Sequence, residues 1–359
     1  MGRLKSLLKP EVVAAVDREF FESEGYWIWE GVLTQEGRAR WTKSLQKLQR
    51  MNDEIVVDTD WTSIDFERRG LPSADPDKVT PEFLAACCGG SEQMKFLQPG
   101  WRVYMHDHGL FGPGPELVTR GYPSQGLMPE YFPGAYDAFI LDAVTAHPQM
   151  MELFQKVLGE RFVIDHCLML NRAPGSGGRH WHGHPYRDGS REVEDPIGTN
   201  ASLTREFLRE QCVRTLCYPE GADDEDGGDF AVIPGAHLYR IPFKWSTDRP
   251  DHDDDMRAGW LRGKIHAFTG EPLKIVRLSI PPGSMVSFVH HIPHHVGSRK
   301  PGAPVRWGLL MANRTPDHDA DPTRWSSGVP AHWAQRNAAQ ISEVARRVLA
   351  GDNPTDPLQ

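Results

Sequence analysis

The chain has 359 residues, of which 39% are hydrophobic, so it is long enough to bury a large core. Its formal net charge of -9 argues against a nucleic-acid partner, which would select a basic surface, and no run approaches the roughly 18 to 20 apolar residues of a membrane span. The five cysteines form no CxxC pair and the first residues lack the apolar run of a signal peptide, so we expect a cytoplasmic protein with reduced thiols.

The N-terminal part predicts helices around one aromatic strand. Apolar residues at helical spacing predict a helix over residues 11–24, which Gly25 ends. Residues 26–29 form an aromatic, strand-like run. Thr34 is placed to cap a second helix that continues to about residue 51.

The middle of the chain gives weaker patterns. Residues 52–134 are irregular and rich in Pro and Gly, and predict loops, short helices and a strand at 101–105 that together shape a substrate face. A helix is predicted over residues 136–158.

From about residue 161, short strand-like runs alternate with turns. This pattern predicts a mainly β sandwich or barrel with flanking helices. The predicted strands cover residues 162–171, 213–218, 230–233, 273–280, 284–290 and 305–312. We expect one domain with an N-terminal region of helices and substrate-side loops (10–160), a β core (161–315), and a C-terminal helix (332–349) and tail within 316–359.

Two polar inserts interrupt the predicted β core, at residues 188–200 and 243–270. The second contains the acidic run Asp253, Asp254 and Asp255. A solvated loop explains such a run most simply, and a lid over a site is the alternative.

Two short stretches, residues 179–186 and 290–297, contain seven of the 16 histidines. Imidazole is the commonest side-chain metal ligand. Residues two apart on a strand share a face, so one metal can take both His182 and His184, and His180 has the same parity. The pair His106 and His108 has no second cluster beside it, and a polar loop explains it.

The second histidine cluster follows a predicted strand, and Arg306 opens the next strand. An arginine there can hold a carboxylate through two parallel hydrogen bonds, although an ordinary surface arginine fits the pattern too. Between the clusters, residues 226–237 predict a hairpin with a Pro-Gly turn, in which we expect His237 to be structural.

Four motifs in the same order resemble the phytanoyl-CoA dioxygenase family of Fe(II)/2-oxoglutarate-dependent oxygenases. The family pattern is an opening helix and strand, a WHxD-like strand, an NGxLxxIPGSH-like hairpin, and a distal His followed by an Arg. This chain matches it at residues 20–34, at Trp181–His184, at residues 228–237, and at His294 or His295 with Arg306. The resemblance covers residues 17–315.

This resemblance implies a double-stranded β-helix, or jelly roll, and an iron site. His182, His184 and His294 (alternatively His295) would hold Fe(II), and Arg306 would bind the distal carboxylate of 2-oxoglutarate. O2 would be the oxidant, with succinate and CO2 as co-products. Asn171, Trp181 and Tyr186 are further candidates for the pocket, Asn171 on the co-substrate side.

One position departs from the family pattern. The family has an Asp ligand where this chain has His184. His184 could be the third ligand of an all-histidine site, or it could lie beside the metal while a water fills the position. The site could also bind iron poorly and be inactive. Halogenases of this superfamily have a small residue there, so the bulky His184 argues against halogenation.

The distal ligand is also open. Counting forward from Gly283 favours His294, and counting back from Arg306 favours His295. We prefer His294, because loops tolerate insertions better than strands do. Only one of the two can point inward.

The predicted function is oxidation, most simply hydroxylation, of a small organic substrate by an iron enzyme with 2-oxoglutarate as co-substrate. One alternative is a jelly-roll metalloprotein that does not use 2-oxoglutarate, such as an all-histidine dioxygenase or a cupin-like enzyme. The other is an inactive binding protein of the same fold. The sequence identifies neither the substrate nor the oligomeric state.

Overall fold

A computed structural model describes residues 4–57, 133–176, 178–183, 212–222, 226–239 and 252–315. Several of the sequence predictions lie outside these ranges. They are the substrate-side loops and strand between residues 58 and 132 with His106 and His108, the insert at 188–200, the C-terminal helix, and the site candidates His184 and Tyr186.

The predicted first helix is two helices, α1 (Pro10–Ala14) and α2 (Arg18–Glu24). The break occurs because the Asp17 side chain accepts a hydrogen bond from the Phe20 backbone N–H at 3.0 Å and so begins a new helix. Gly25 ends α2 with φ of 81°, a conformation that glycine adopts without strain. Strand β1 (Tyr26–Trp29) follows as predicted.

Helix α3 (Gln35–Val57) begins after Thr34, whose hydroxyl accepts the Gly37 backbone N–H at 3.0 Å. The cap is where the sequence predicts it, and the helix is longer than predicted. The single helix predicted over residues 136–158 is instead three helices: α4 (Pro133–Tyr136), α5 (Ala138–Thr145) and α6 (Pro148–Leu158). Asp137 caps α5, and a proline at the first position of α6 favours a new helix start.

The described strands after β1 all belong to the β core. They are β2 (Val163–Met169), β3 (Arg179–His182), β4 (Cys212–Tyr218), β5 (Phe230–Val232), β6 (Val276–Leu278), β7 (Ser284–Val289), β8 (His294–Val296) and β9 (Leu309–Arg314).

These strands form two antiparallel sheets. The five-stranded sheet has the order β1-β7-β4-β9-β2, and the four-stranded sheet has the order β3-β8-β5-β6. The chain passes from one sheet to the other after β2, β3, β4, β6, β7 and β8. This winding is a double-stranded β-helix, or jelly roll, so the predicted fold class is confirmed.

Side-chain alternation divides the four-stranded sheet into an inner and an outer face. Phe230 and Val232 of β5 belong to the large core between the sheets, where the Phe230 ring lies 5.1 Å from that of Phe288 on β7. Ala231 points the other way, into a smaller apolar cluster that contains Trp181. Helix α7 (Asp253–Ala258) contributes Met256 to this outer cluster.

The acidic run Asp253–Asp255 is therefore the first turn of α7. Within residues 252–270, the second polar insert packs on the outer face of the four-stranded sheet. This part of the insert lies on the side away from the inner core, so it does not form the lid considered above.

The cysteines that the structure describes, Cys167, Cys212 and Cys217, are buried and form no disulfide with one another. Among the described helices, none is long and apolar enough to cross a membrane.

Asp137 connects two helices of the N-terminal layer. Its carboxylate caps α5 through two backbone N–H groups and accepts a hydrogen bond from Ser44 of α3 at 3.1 Å. We expect Asp137→Ala to lower the free energy of unfolding by about 1 to 2 kcal/mol, because these buried donors lose their acceptor. Urea unfolding measures this. Glu152→Ala, an exposed change in α6, is the control, and equal stability of the two variants would contradict the role of Asp137.

Candidate functional site

Two histidines from the two sequence clusters meet on the inner face of the four-stranded sheet. His182 ends β3 and is paired in register with His294, which begins β8. Their ring centroids are 4.0 Å apart, with the ring planes inclined by 54°. His294 is buried, and its ring lies 4.9 Å from that of Phe288 and 5.9 Å from that of Phe230. We call His182 and His294 the inner histidine pair.

The next residues along the same strands form a second pair on the opposite face. Trp181 of β3 and His295 of β8 stack with ring centroids 5.3 Å apart and planes inclined by 24°. Alternation along a strand explains this arrangement, because neighbours point to opposite faces. His295 is paired with Ala231 and His294 with Val232, which agrees with the inner and outer faces assigned from β5. We call Trp181 and His295 the outer pair.

A backbone contact fixes the orientation of the His294 ring. Its Nδ1 lies 2.8 Å from the backbone oxygen of Ile292. A carbonyl oxygen can only accept, so Nδ1 carries the proton and Nε2 is the basic nitrogen. Metal-ligating histidines have this arrangement, in which the second ring nitrogen donates to a backbone or carboxylate oxygen.

Arg306 is a buried cation of this region. Its side chain is 4% exposed, Nη1 donates to the backbone oxygen of Gly228, and the guanidinium lies over the Tyr218 ring at 5.4 Å. Its Nε is buried and has no hydrogen-bond partner among the described residues. No Asp or Glu among these residues forms an ion pair with Arg306. Burial lowers the pKa of the guanidinium, which the nearby Tyr218 partly opposes.

Arg172 adds positive charge beside Arg306. The two residues face each other in an antiparallel bridge, with backbone hydrogen bonds of 2.8 and 2.9 Å. Burial raises the pKa of the Tyr218 phenol, while Arg306 and Arg172 act in the opposite direction, so both guanidinium groups lie near this ring. This end of the core therefore has a positive potential suited to an anion.

The segment from Gly228 to Phe230, which leads into β5, contacts both Arg306 and the inner histidine pair. Gly228 accepts the Arg306 hydrogen bond, and the Phe230 ring, two residues later, contacts His294. Two residues span at most about 7 Å of chain. Gly228 has φ of 75°, and a side chain there would collide with Arg299 and crowd Arg306. The inner histidine pair and the buried guanidinium of Arg306 thus contact the same short segment of chain, residues 228–230.

The other predicted site residues have varied positions. The amide of Asn171 donates to Gln49 at 2.9 Å and accepts from the Gly308 backbone at 3.2 Å, so it ties β9 to α3. Trp181 belongs to the outer pair and does not line the space around His182. His290 and His291 follow the end of β7, with ring centroids 5.5 Å apart.

A third metal ligand is not found among the described residues, which include no group of three or more His, Cys, Asp or Glu side chains that could hold a metal. His184 lies outside them, so its role stays a prediction.

Sequence reasoning missed three residues around the site. Phe230 and Phe288 contact His294, and both read as ordinary strand residues in the sequence. Tyr218 ends β4 beneath Arg306, and only the pairing of strands brings it there.

Comparisons with known proteins give remote structural likenesses only. No protein-family model matches the chain, and no curated protein matches it, so the resemblance to the phytanoyl-CoA dioxygenase family stays a prediction.

Among solved structures, EctD from S. alaskensis with 2-oxoglutarate and 5-hydroxyectoine is 13% identical, with 91% of this chain and 85% of that chain covered and a TM-score of 0.41. SnoN, a non-heme alpha-ketoglutarate-dependent epimerase from nogalamycin biosynthesis, is 12% identical, with coverages of 88% and 94% and a TM-score of 0.43. HygX from Streptomyces hygroscopicus, with nickel and 2-oxoglutarate bound, is 12% identical, with coverages of 84% and 88% and a TM-score of 0.39. The fold assignment rests on the strand order itself.

His237 has a structural position, as predicted. It is fully buried, its Nε2 donates to the backbone oxygen of Glu22 at 3.0 Å, and its ring packs on Gly25. Burial lowers its pKa from 6.5 to about 4, so the folded protein holds it neutral.

The unfolded chain protonates His237 near pH 6.5, whereas the folded protein does so only near pH 4. We therefore expect the free energy of unfolding to fall by about 3 kcal/mol as the pH drops through this window. Urea titrations at several pH values measure the slope. His237→Gln should flatten it and the exposed His252→Gln should leave it unchanged; an unaltered slope in His237→Gln would contradict the assignment.

Proposed function

We propose that the protein is an Fe(II)- and 2-oxoglutarate-dependent dioxygenase that oxidises a small organic substrate. The observation that carries the proposal is the buried guanidinium of Arg306, which has no carboxylate partner among the described residues and contacts the same short segment, residues 228–230, as His294 of the inner histidine pair. A buried charge without a counter-ion is costly, so this position favours an anion supplied from outside the protein.

The residues present fit a metal ion. The two rings of the inner histidine pair are close enough to converge on one ion, and the contact of His294 Nδ1 with Ile292 presents Nε2 as the ligand atom. We propose His182 and His294 as two ligands and His184 as the third, with open positions left for co-substrate and O2. Iron held there would supply the oxidative chemistry, with succinate and CO2 as co-products.

The protein's own groups would bind and orient the reactants. Arg306 would hold the distal carboxylate of 2-oxoglutarate in two parallel hydrogen bonds, with its position fixed by Gly228 and Tyr218. Phe230 and Phe288 pack beside His294 and exclude water from that side. An apolar wall strengthens the electrostatic attraction between Arg306 and a bound carboxylate.

Arg306 also separates this proposal from its rivals. A jelly-roll metalloprotein that does not use 2-oxoglutarate has no need for a buried arginine beside its histidines. An inactive binding protein has no need for a histidine pair that can bind metal. Replacing the usual Asp by His184 leaves the metal centre one unit more positive, which favours an anionic co-substrate.

Metal binding depends on the inner histidine pair in this proposal. We expect anaerobic Fe(II) titration to show one site in the wild-type protein and at least about tenfold weaker binding in His182→Ala and His294→Ala, because each removes a ligand. His252→Ala, an exposed change on the far face, is the control. Wild-type protein that takes up no iron would support the inactive binding protein.

Turnover of 2-oxoglutarate tests the anion site. In the presence of O2, and of ascorbate as the reductant that takes the place of substrate, iron-loaded protein should convert 2-oxoglutarate to succinate and CO2, even slowly. Arg306→Lys should raise the KM for 2-oxoglutarate by about tenfold or more, because lysine keeps the charge and loses the planar fork. The exposed Arg262→Lys is the matched control. No succinate from iron-loaded wild-type protein, with candidate substrates supplied, would contradict the proposal.

A further inference from the structure

The outer pair lies directly behind the inner histidine pair, on the same two strands. Trp181 precedes His182 on β3, and His295 follows His294 on β8. The two pairs move together, because their side chains are attached to neighbouring residues of the same two short strands. The geometry of the outer pair therefore bears on the distance between the two inner rings.

The β3–β8 ladder by itself fixes that distance weakly. Among the described strands, β3 pairs only with β8, and both strands are short. Their register shifts between Arg179 and His182, so the ladder is irregular where the ligand lies. Side-chain contacts must supply the order that the backbone hydrogen bonds lack.

Asp253 of α7 fixes the Trp181 ring. Trp181 is fully buried, and its indole N–H donates to Asp253 Oδ1 at 3.1 Å. The other carboxylate oxygen, Oδ2, accepts from Arg277 of β6 at 2.6 Å. Arg277 also binds Asp229, whose backbone oxygen accepts the N–H of Gly297 at 2.9 Å, directly after β8. This set of contacts runs from β3 through α7 and β6 and returns to the end of β8.

We infer that Asp253 and Trp181 are positioning residues, which set the separation and orientation of the inner histidine pair from the opposite face of the sheet. The inference rests on the proposed metal-binding function. Neither residue would touch metal or substrate; Asp253 would act through Trp181, and Trp181 through the β3–β8 ladder. The acidic turn at residues 253–255 thereby gains a role in the site, although it lies outside the core.

The test compares two neighbouring aspartates of the same helical turn. Asp253 is 15% exposed and accepts a hydrogen bond from Trp181, whereas Asp254 is 96% exposed and forms an ion pair with Arg257 on the surface of α7. We expect Asp253→Ala to weaken Mn(II) binding by about tenfold, as loss of a residue that supports a metal ligand typically does, and Asp254→Ala to leave it unchanged. Mn(II) replaces iron to avoid oxidation during the titration.

A second variant and a spectroscopic readout separate positioning from simple stability. Trp181→Phe keeps a ring to stack on His295 and removes the N–H donor, so it should also weaken Mn(II) binding. In both variants the visible spectrum of bound Co(II), which reports ligand geometry, should shift relative to wild-type protein. A purely structural role would lower the unfolding midpoint and leave the Co(II) spectrum of the folded protein unchanged.

The results distinguish a failure of the positioning inference from a failure of the proposed function. If wild-type protein binds Mn(II), His294→Ala does not, and folded Asp253→Ala and Trp181→Phe keep wild-type affinity and spectrum, the positioning inference is overturned and the proposed function stands. If Asp253→Ala does not fold, the Mn(II) affinity and the Co(II) spectrum of Trp181→Phe decide between the same outcomes. If wild-type protein binds no metal, both are overturned.

Discussion

Side-chain alternation along the β3–β8 ladder is the constraint on which the rest of the site depends. It directs His182 and His294 into the core and Trp181 and His295 to the outer face. A one-residue shift in strand register would turn Trp181 and His295 toward the core and the two histidines His182 and His294 toward the outer face. The large core between the sheets and the smaller cluster under α7 both hold this register, one from each side.

The second constraint is electrostatic. The chain carries a net charge of -9, yet one end of its core contains three buried arginines, Arg172, Arg299 and Arg306. Tyr218 lies under Arg306 and supplies an aromatic face but no negative charge. The histidine pair and Arg306 both contact residues 228–230, and we propose that one dicarboxylate binds between them. A metal site made of imidazoles beside an anion site is what the proposed use of iron and 2-oxoglutarate requires.

The sequence predicts most strands of the core and the two histidine clusters, because these depend on local patterns of hydrophobicity, Gly and Pro, but its predicted strands do not include β8. It misses the helix breaks at Asp17 and Asp137, where a capping side chain outweighs a continuous apolar pattern. Spacing alone leaves His294 and His295 open, since a loop of unknown length precedes them; strand pairing distinguishes the faces they occupy. Asp253 contacts Trp181 across 72 residues of sequence, and no local signal predicts such a contact.

The most direct test of the central claim is an anaerobic crystal structure of the protein grown with Mn(II) and 2-oxoglutarate. The account predicts a metal ion bound by Nε2 of His294 and by His182, and a 2-oxoglutarate molecule that reaches from this ion to the guanidinium of Arg306. Such a structure would also define the role of His184. An ion bound elsewhere, or a carboxylate of the protein itself in contact with Arg306, would contradict the account.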